Sequence, residues 1–159
     1  MKVLVAGAKG FVGKALITDF LSKAYEVKTL VGQSSALLPL GLDQVVSGDY
    51  TELTLDGSSK FLRESFNGVD VVVYVAGRAH VTNDDVSHPV TDFRKINRDA
   101  TLVLARLAVE SGVKRFLFLS SIKVNGEITR HGQPFTLDDL PMPYNPYGLS
   151  KYETEQGLL

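Results

Sequence analysis

The chain of 159 residues contains no cysteine. That excludes disulfides, thiolate metal sites and a cysteine nucleophile. His88 and His131 have no partners at metal-ligand spacing, so no metal site is expected. No apolar run reaches the roughly 18–20 residues that cross a bilayer. The apolar opening Val3–Ala6 is too short for the core of a secretion signal and runs straight into a glycine motif. Neither sign of charge is in excess. The formal net charge of −1 gives no bulk attraction to nucleic acid or to an anionic membrane, and the lack of cysteine agrees with the cytoplasm as the expected location. There is no internal repeat and no low-complexity segment. What remains is a chain 44% hydrophobic, the composition of one globular domain of ordinary size with a real core.

Three apolar runs, Val3–Ala6, Val69–Val75 and Phe116–Leu119, are continuous rather than alternating, as in strands buried on both faces of a parallel sheet. Tyr25–Val31 and Gln44–Val46 are weaker strand candidates. Helical spacing lies between them. Val12, Leu16 and Phe20, with Ala15 beside them, form one stripe, and Leu102, Ala105 and Val109 a second. Ser58–Phe66 reads as a shorter helix stopped by Asn67-Gly68. Strands alternating with helices predict an α/β, doubly wound parallel sheet of five strands in the order 3-2-1-4-5. Ile122–Asn145 is long and irregular, and loops of that length are uncommon unless functional. From Tyr147 onward the pattern is helical.

Gly7, Gly10 and Gly13 form G-x-x-G-x-x-G directly after the first strand and at the start of the first helix. A tight turn there lets backbone N–H groups and the positive helix end approach a pyrophosphate. The acid that commonly ends the second strand and holds a ribose 2′-hydroxyl is missing, since Val31-Gly32 occupies that place. Lys9, inside the loop, suits either a 2′-phosphate or a solvated surface position. Asp49 suits either a hydrogen bond from adenine or the cap of the next turn.

Tyr147-Gly148-Leu149-Ser150-Lys151 is the most informative stretch. Residues four apart share a helix face, which sets the Tyr147 phenol beside the Lys151 ammonium. A phenol titrates near ~10, and a nearby positive charge favours its ionised form, giving a group able to exchange a proton with a hydroxyl or carbonyl. Ser120-Ser121 ends the fifth strand candidate, where a serine either hydrogen-bonds a reacting oxygen or caps a turn.

With these elements in order, the chain resembles the extended short-chain dehydrogenase/reductases, the NAD(P)-dependent epimerases and dehydratases of nucleotide sugars, over its whole length. Val3–Gly13 is similar to the family's opening strand and glycine loop, and Gly48-Asp49 to its adenine-side aspartate. Val73–Val81 is similar to its fourth-strand motif, with Tyr74 where many members have His and Gly77 where many have Ala. Asn97 matches a family asparagine. Leu119–Glu127 resembles the catalytic-serine segment, with Val124-Asn125-Gly126 where many carry Val-Tyr-Gly, and this alignment selects Ser121 over Ser120. The Ile122–Glu127 wording is similar to a bacterial subgroup of surface-polysaccharide sugar synthesis that resembles UDP-glucose 4-epimerases.

The resemblance implies a Rossmann-type fold and hydride transfer at C4 of a UDP-sugar, with Ser121, Tyr147 and Lys151 as catalytic residues. It implies cofactor contacts from Gly7, Lys9, Gly10, Phe11, Val12 and Gly13, from Asp49 and Tyr50, from Val75, Ala76, Gly77 and Arg78, and from Asn97, Tyr147 and Lys151. His80, Ser121, Lys123 and Asn125 are the implied sugar contacts; for His80 a structural place in its loop remains open. The cofactor is NAD or NADP, and Lys9 with the missing acid favours NADP. A C4 epimerase is the first functional reading. A UDP-4-keto-6-deoxy-sugar reductase, a small-carbonyl reductase and a non-catalytic NADP sensor are the alternatives; sensors of this fold commonly lose the tyrosine–lysine pair, which this chain keeps. A nucleotide sugar and a second copy in a homodimer are the expected partners, with no nucleic acid and no membrane. Family members run to about twice this length, so residues 1–159 are expected to be an incomplete dinucleotide domain lacking a sixth strand and a substrate lobe, with a loosely held end over Tyr144–Leu159.

Overall fold

Valine and leucine without interruption make β1 (Lys2–Ala6) a strand that has to be covered on both sides, and it lies at the centre of the sheet. The structure, a computed structural model, describes residues 1–31, 42–46, 60–78 and 89–159. β2 (Glu26–Val31) and β4 (Val71–Tyr74) flank β1, with Leu4 opposite Lys28 on one side and Val72 on the other. β5 (Arg115–Phe118) pairs with β4, Val72 facing Phe116, and the described pairings within this sheet are parallel. β3 (Asp43–Val46) lies on the outer side of β2, Leu30 opposite Val45. The sheet runs β3-β2-β1-β4-β5. β5 is not the doubly buried strand its apolar run suggests. Phe116 and Phe118 turn inward, while Leu117 and Leu119 are about half exposed, at 47% and 49%.

Side chains alternate across β1 and divide the core in two. Leu4 and Ala6 join Leu62 and Phe66, from α2 (Lys60–Ser65) and the residues after it, with Val103, Leu104, Leu107 and Ala108 of α4 (Ala100–Glu110). Val3 and Val5 join Ile17, Leu16 and Phe20 of α1 (Phe11–Ser22). The expected stripe of α4 is out of phase with its face, and that of α1 lies on its face only in part. In α1 Leu16 and Phe20 pack against the core beside the buried Gly13 and Ile17, while Val12 and Ala15 are exposed. In α4 the sheet-facing residues are Val103, Leu104, Leu107 and Ala108, while Val109 is exposed. Leu102 has a different neighbour, since a Cβ at Gly157 would lie 2.8 Å from its methyls. A stripe read by fours cannot tell the face toward the sheet from the face toward another helix.

α3 (Pro89–Phe93) runs into α4 through a π-helical turn, Arg94–Asp99. After β5 come a 3₁₀ turn, Ile122–Val124, an irregular stretch, and α5 (Pro146–Leu158). The loosely held end expected over Tyr144–Leu159 is replaced by this helix. Asn145 caps it and Pro146 starts it, and Gly148, Ser150, Lys151 and Thr154 are buried against its neighbours. It escapes an apolar-stripe reading because much of what it buries is polar. No described helix is long and apolar enough to cross a membrane.

Candidate active site at the carboxyl edge of the sheet

The carboxyl ends of β1, β4 and β5 meet along one edge. Beyond Ala6 the chain turns at Gly7, whose φ of +92° suits glycine, and a Cβ there would lie 2.5 Å from the Ala76 nitrogen. A Cβ at Gly13 would collide with the Gly7 carbonyl oxygen. These two glycines let α1 and the end of β4 close on the loop. Gly10 differs. It is exposed, and a Cβ there would meet only the Gly7 oxygen, at 3.3 Å. It is the N-cap of α1, and neither a capping side chain nor a first-turn acid covers the helix's free N–H groups and positive end. Phe11, 93% exposed, begins that open turn, followed by the exposed Val12, with Lys9 partly buried beside them. A pyrophosphate fits this loop: donors and positive field are present, and the first turn of α1 carries no carboxylate to compete for them.

The Val75 N–H donates to the Ala6 carbonyl (2.9 Å), so β4 runs on beside the loop to Ala76, Gly77 and Arg78. Asn97 binds that extension with both ends of its amide. Its Oδ1 accepts the Arg78 N–H (2.9 Å), and its Nδ2 donates to the Arg78 carbonyl (3.2 Å) and to Ser150 Oγ (3.0 Å). The Ser150 hydroxyl in turn donates to the Tyr147 carbonyl (2.7 Å). Asn97 is inside the π turn, a form that frees carbonyls from the α ladder and is frequent at functional sites. Those carbonyls find donors. The Tyr74 hydroxyl donates to Ile96 (3.3 Å) and Thr101 to Asn97 (2.6 Å), and the Thr154 hydroxyl lies 3.0 Å from the Asn97 oxygen. Burial pushes the Tyr74 phenol up to about 12, so it remains a donor.

Lys151 closes the group. It is 4% exposed, its Nζ donates to the Leu119 carbonyl (3.0 Å) and stands 4.5 Å from the centre of the Phe118 ring, and a Cβ at Gly77 would lie 3.5 Å from it. Burial pulls its pKa down to about 8, with Glu155 opposing. One turn earlier on the same helix, Tyr147 is half-buried, its ring edge-on to Phe93 at 6.1 Å. At the end of β5, Ser120 Oγ is buried with no hydrogen-bond partner among the described residues, and Ser121 Oγ accepts the Lys123 N–H (3.2 Å) at the head of the 3₁₀ turn.

The structure therefore gathers Gly7, Ala76, Gly77, Asn97, Lys151 and the Leu119–Ser121 segment along one edge. Lys123 is directed elsewhere and pairs with Glu127, while Asn125 borders an open cleft of about 440 Å³ with Phe135 and Leu137. Asp49, Tyr50 and His80 lie outside the described residues. Sequence reasoning assigned no role to Ser150, Thr154 or Tyr74, which hold the π turn in place. The signal of Ser150 and Thr154 is a pair of small hydroxyls four apart on the Tyr147 helix, and that of Tyr74 is its departure from the histidine many family members carry. No group of three or more His, Asp or Glu that could hold a metal occurs among the described residues.

A model of the NAD dependent epimerase/dehydratase family matches residues 3–159. UDP-glucose 4-epimerase of Vibrio cholerae is 40% identical over 163 residues, covering 99% of this chain and 46% of its own. The Bacillus subtilis protein of that name is 28% identical over 98% of this chain and 46% of its own. Among solved structures, Thermotoga maritima UDP-glucose 4-epimerase with UDP-glucose superposes with a TM-score of 0.80 at 26% identity, over 98% of this chain and 49% of that one. MoeE5 in complex with UDP-glucose and NAD does so at 0.78 and 28%, over 99% and 48%. The chain spans about half the length of the curated relatives it matches. The family match runs from the first strand through the helix of Tyr147 and Lys151, and the chain belongs to the NAD dependent epimerase/dehydratase family.

Proposed function

We propose that this chain is the dinucleotide-binding and proton-transfer part of an enzyme that inverts C4 of a UDP-sugar, with NAD as the cofactor. The observation that carries the proposal is the meeting of an uncapped glycine-loop helix with Lys151, Gly77 and the end of β5 on one edge. The Vibrio cholerae relative and the MoeE5 complex support the sugar, and the latter supports NAD. Lys9 remains the argument for NADP within this chain, and the NAD-bound relative outweighs it.

Bound in the crevice, the dinucleotide supplies a hydride acceptor and donor. The glycine loop holds its diphosphate through the first-turn N–H groups of α1. Tyr147 takes the proton of the sugar hydroxyl and returns it after the sugar has turned. Lys151, one turn along the same helix, sets a buried amine at the crevice, its Nζ held by the Leu119 carbonyl. The Ser121 hydroxyl, whose oxygen already accepts the Lys123 N–H, keeps its own proton to donate to the reacting sugar oxygen.

The test is turnover of UDP-glucose by the intact protein that carries this chain. Tyr147→Phe keeps the ring and removes the hydroxyl, and turnover should fall by ~10²–10⁴-fold with NAD affinity little changed. Product inverted at C4 without net cofactor use identifies an epimerase. Stoichiometric oxidation of NADH by an added UDP-4-keto-6-deoxy-sugar, with UDP-glucose left unturned, identifies a reductase and overturns the proposal, as does undiminished turnover in Tyr147→Phe.

A further inference from the structure

The Tyr147 helix and the Ser121 turn come from chain segments separated by an irregular loop, yet they are joined by a specific chain of contacts. Ser121 Oγ accepts the Lys123 N–H, and the Met142 N–H donates to the Val124 carbonyl (3.0 Å), folding the loop back. The two segments touch at Gly148, where a Cβ would lie 2.5 Å from the Lys123 carbonyl oxygen. Glu127 spans the same junction. One carboxylate oxygen pairs with Lys123 Nζ and the other accepts Asn145 Nδ2 (2.6 Å). The opposite end of that amide, Oδ1, accepts the Gly148 N–H (2.6 Å) and is the N-cap of α5.

We infer that Glu127 is a positioning residue: by joining Lys123 to the Asn145 cap it fixes where the first turn of α5, and so the Tyr147 phenol, stands relative to Ser121. This rests on the roles proposed above for Tyr147 and Ser121. Asn145 by itself requires only an acceptor to cap the helix, a task serine performs equally well. The amide donor of asparagine is used on Glu127 alone. The acid likewise has two partners, one on each segment, which a solvated surface carboxylate does not need. Exposed ion pairs add little to stability, so the effect of this one lies in alignment. Reacting groups displaced by an ångström lose up to ~10²-fold in rate.

The test compares Glu127→Ala, Asn145→Ser and the double variant in the intact protein, with UDP-glucose as substrate and temperature well below the melting point. Each single change should lower kcat by about tenfold or more, with NAD affinity and melting temperature nearly unchanged, and the double variant should be no slower than the slower single. Hydrogen exchange at the Gly148 amide should quicken in Glu127→Ala even without substrate, because the cap loses its anchor. If Glu127→Ala does not fold, Glu127→Gln replaces it. Unchanged kcat, or losses that multiply in the double variant, would overturn the inference. Tyr147→Phe in the same assay separates the two proposals. If it alone loses turnover, the linkage fails and the function stands. If it keeps full turnover, the function fails, and unchanged Gly148 exchange then removes the linkage as well.

Discussion

Lys151 combines near-complete burial with a charge, and burial sets its pKa at about 8 against an ordinary 10.5. The folded state thus holds this proton less tightly than the unfolded one. Its contribution is unfavourable while the group is charged, below about 8, and stability rises as pH climbs through the window from about 8 to 10.5. The expected gain is at most on the order of 3 kcal/mol. Urea titrations at several pH values should show that rise in the wild type and not in Lys151→Met; equal slopes would mean that the ammonium is better solvated than its place on the Leu119 carbonyl indicates. Tyr147, Lys151 and the glycines were legible in sequence because their spacing is itself chemical: four residues for one helix face, three for a phosphate loop. Ser120, Asn97 and Glu127 were not legible in the same sense. Their surroundings depend on contacts between distant segments, as when Asn97 reaches both Arg78 and Ser150.

Among elements, the junction of α5 with the π turn decides how the tyrosine–lysine pair meets the sheet. Glu153 ties it from outside, bonded by Arg94 Nε (2.8 Å) and Arg98 Nη1 (3.0 Å). The Arg94 bond holds the Glu153 carboxyl below the usual carboxylate range. A lowered carboxylate stabilises the fold above its ordinary value, and that contribution is lost as pH falls through the lowered one. Glu153→Gln should therefore cost up to about 1 kcal/mol at neutral pH, and the difference should vanish in acid. A difference that persists at low pH would assign its effect to packing. The existence and type of most helices were legible from their spacing, but the face of α4 was not, and that of α1 only in part. α4 packs partly on the sheet and partly on α5, so its strongest four-residue stripe need not point to the core. The π turn leaves no mark in the sequence, because its extra residue is accommodated by partners such as Tyr74 and Thr154 on other elements.

For the molecule as a whole, a parallel sheet was legible because continuous apolar runs can be satisfied only by cover on both faces, as β1 is covered by α1 on one side and by α2 and α4 on the other. The run in β5 misled on this point, since Leu117 and Leu119 remain half exposed. The central claim is that the sheet edge binds a dinucleotide through the uncapped end of α1, and Gly10 gives direct access to it. Packing does not demand glycine there, and its φ of −71° and ψ of 168° are open to any residue. Aspartate is a favoured N-cap, so Gly10→Asp should keep or raise the melting temperature while setting a carboxylate where the diphosphate would be held. The decisive measurement is calorimetric titration of NAD into the wild type and Gly10→Asp. The wild type should bind one NAD per chain, and Gly10→Asp, folded and at least as stable, should bind none. No saturable binding by the wild type, or equal affinity in the two, would contradict the account.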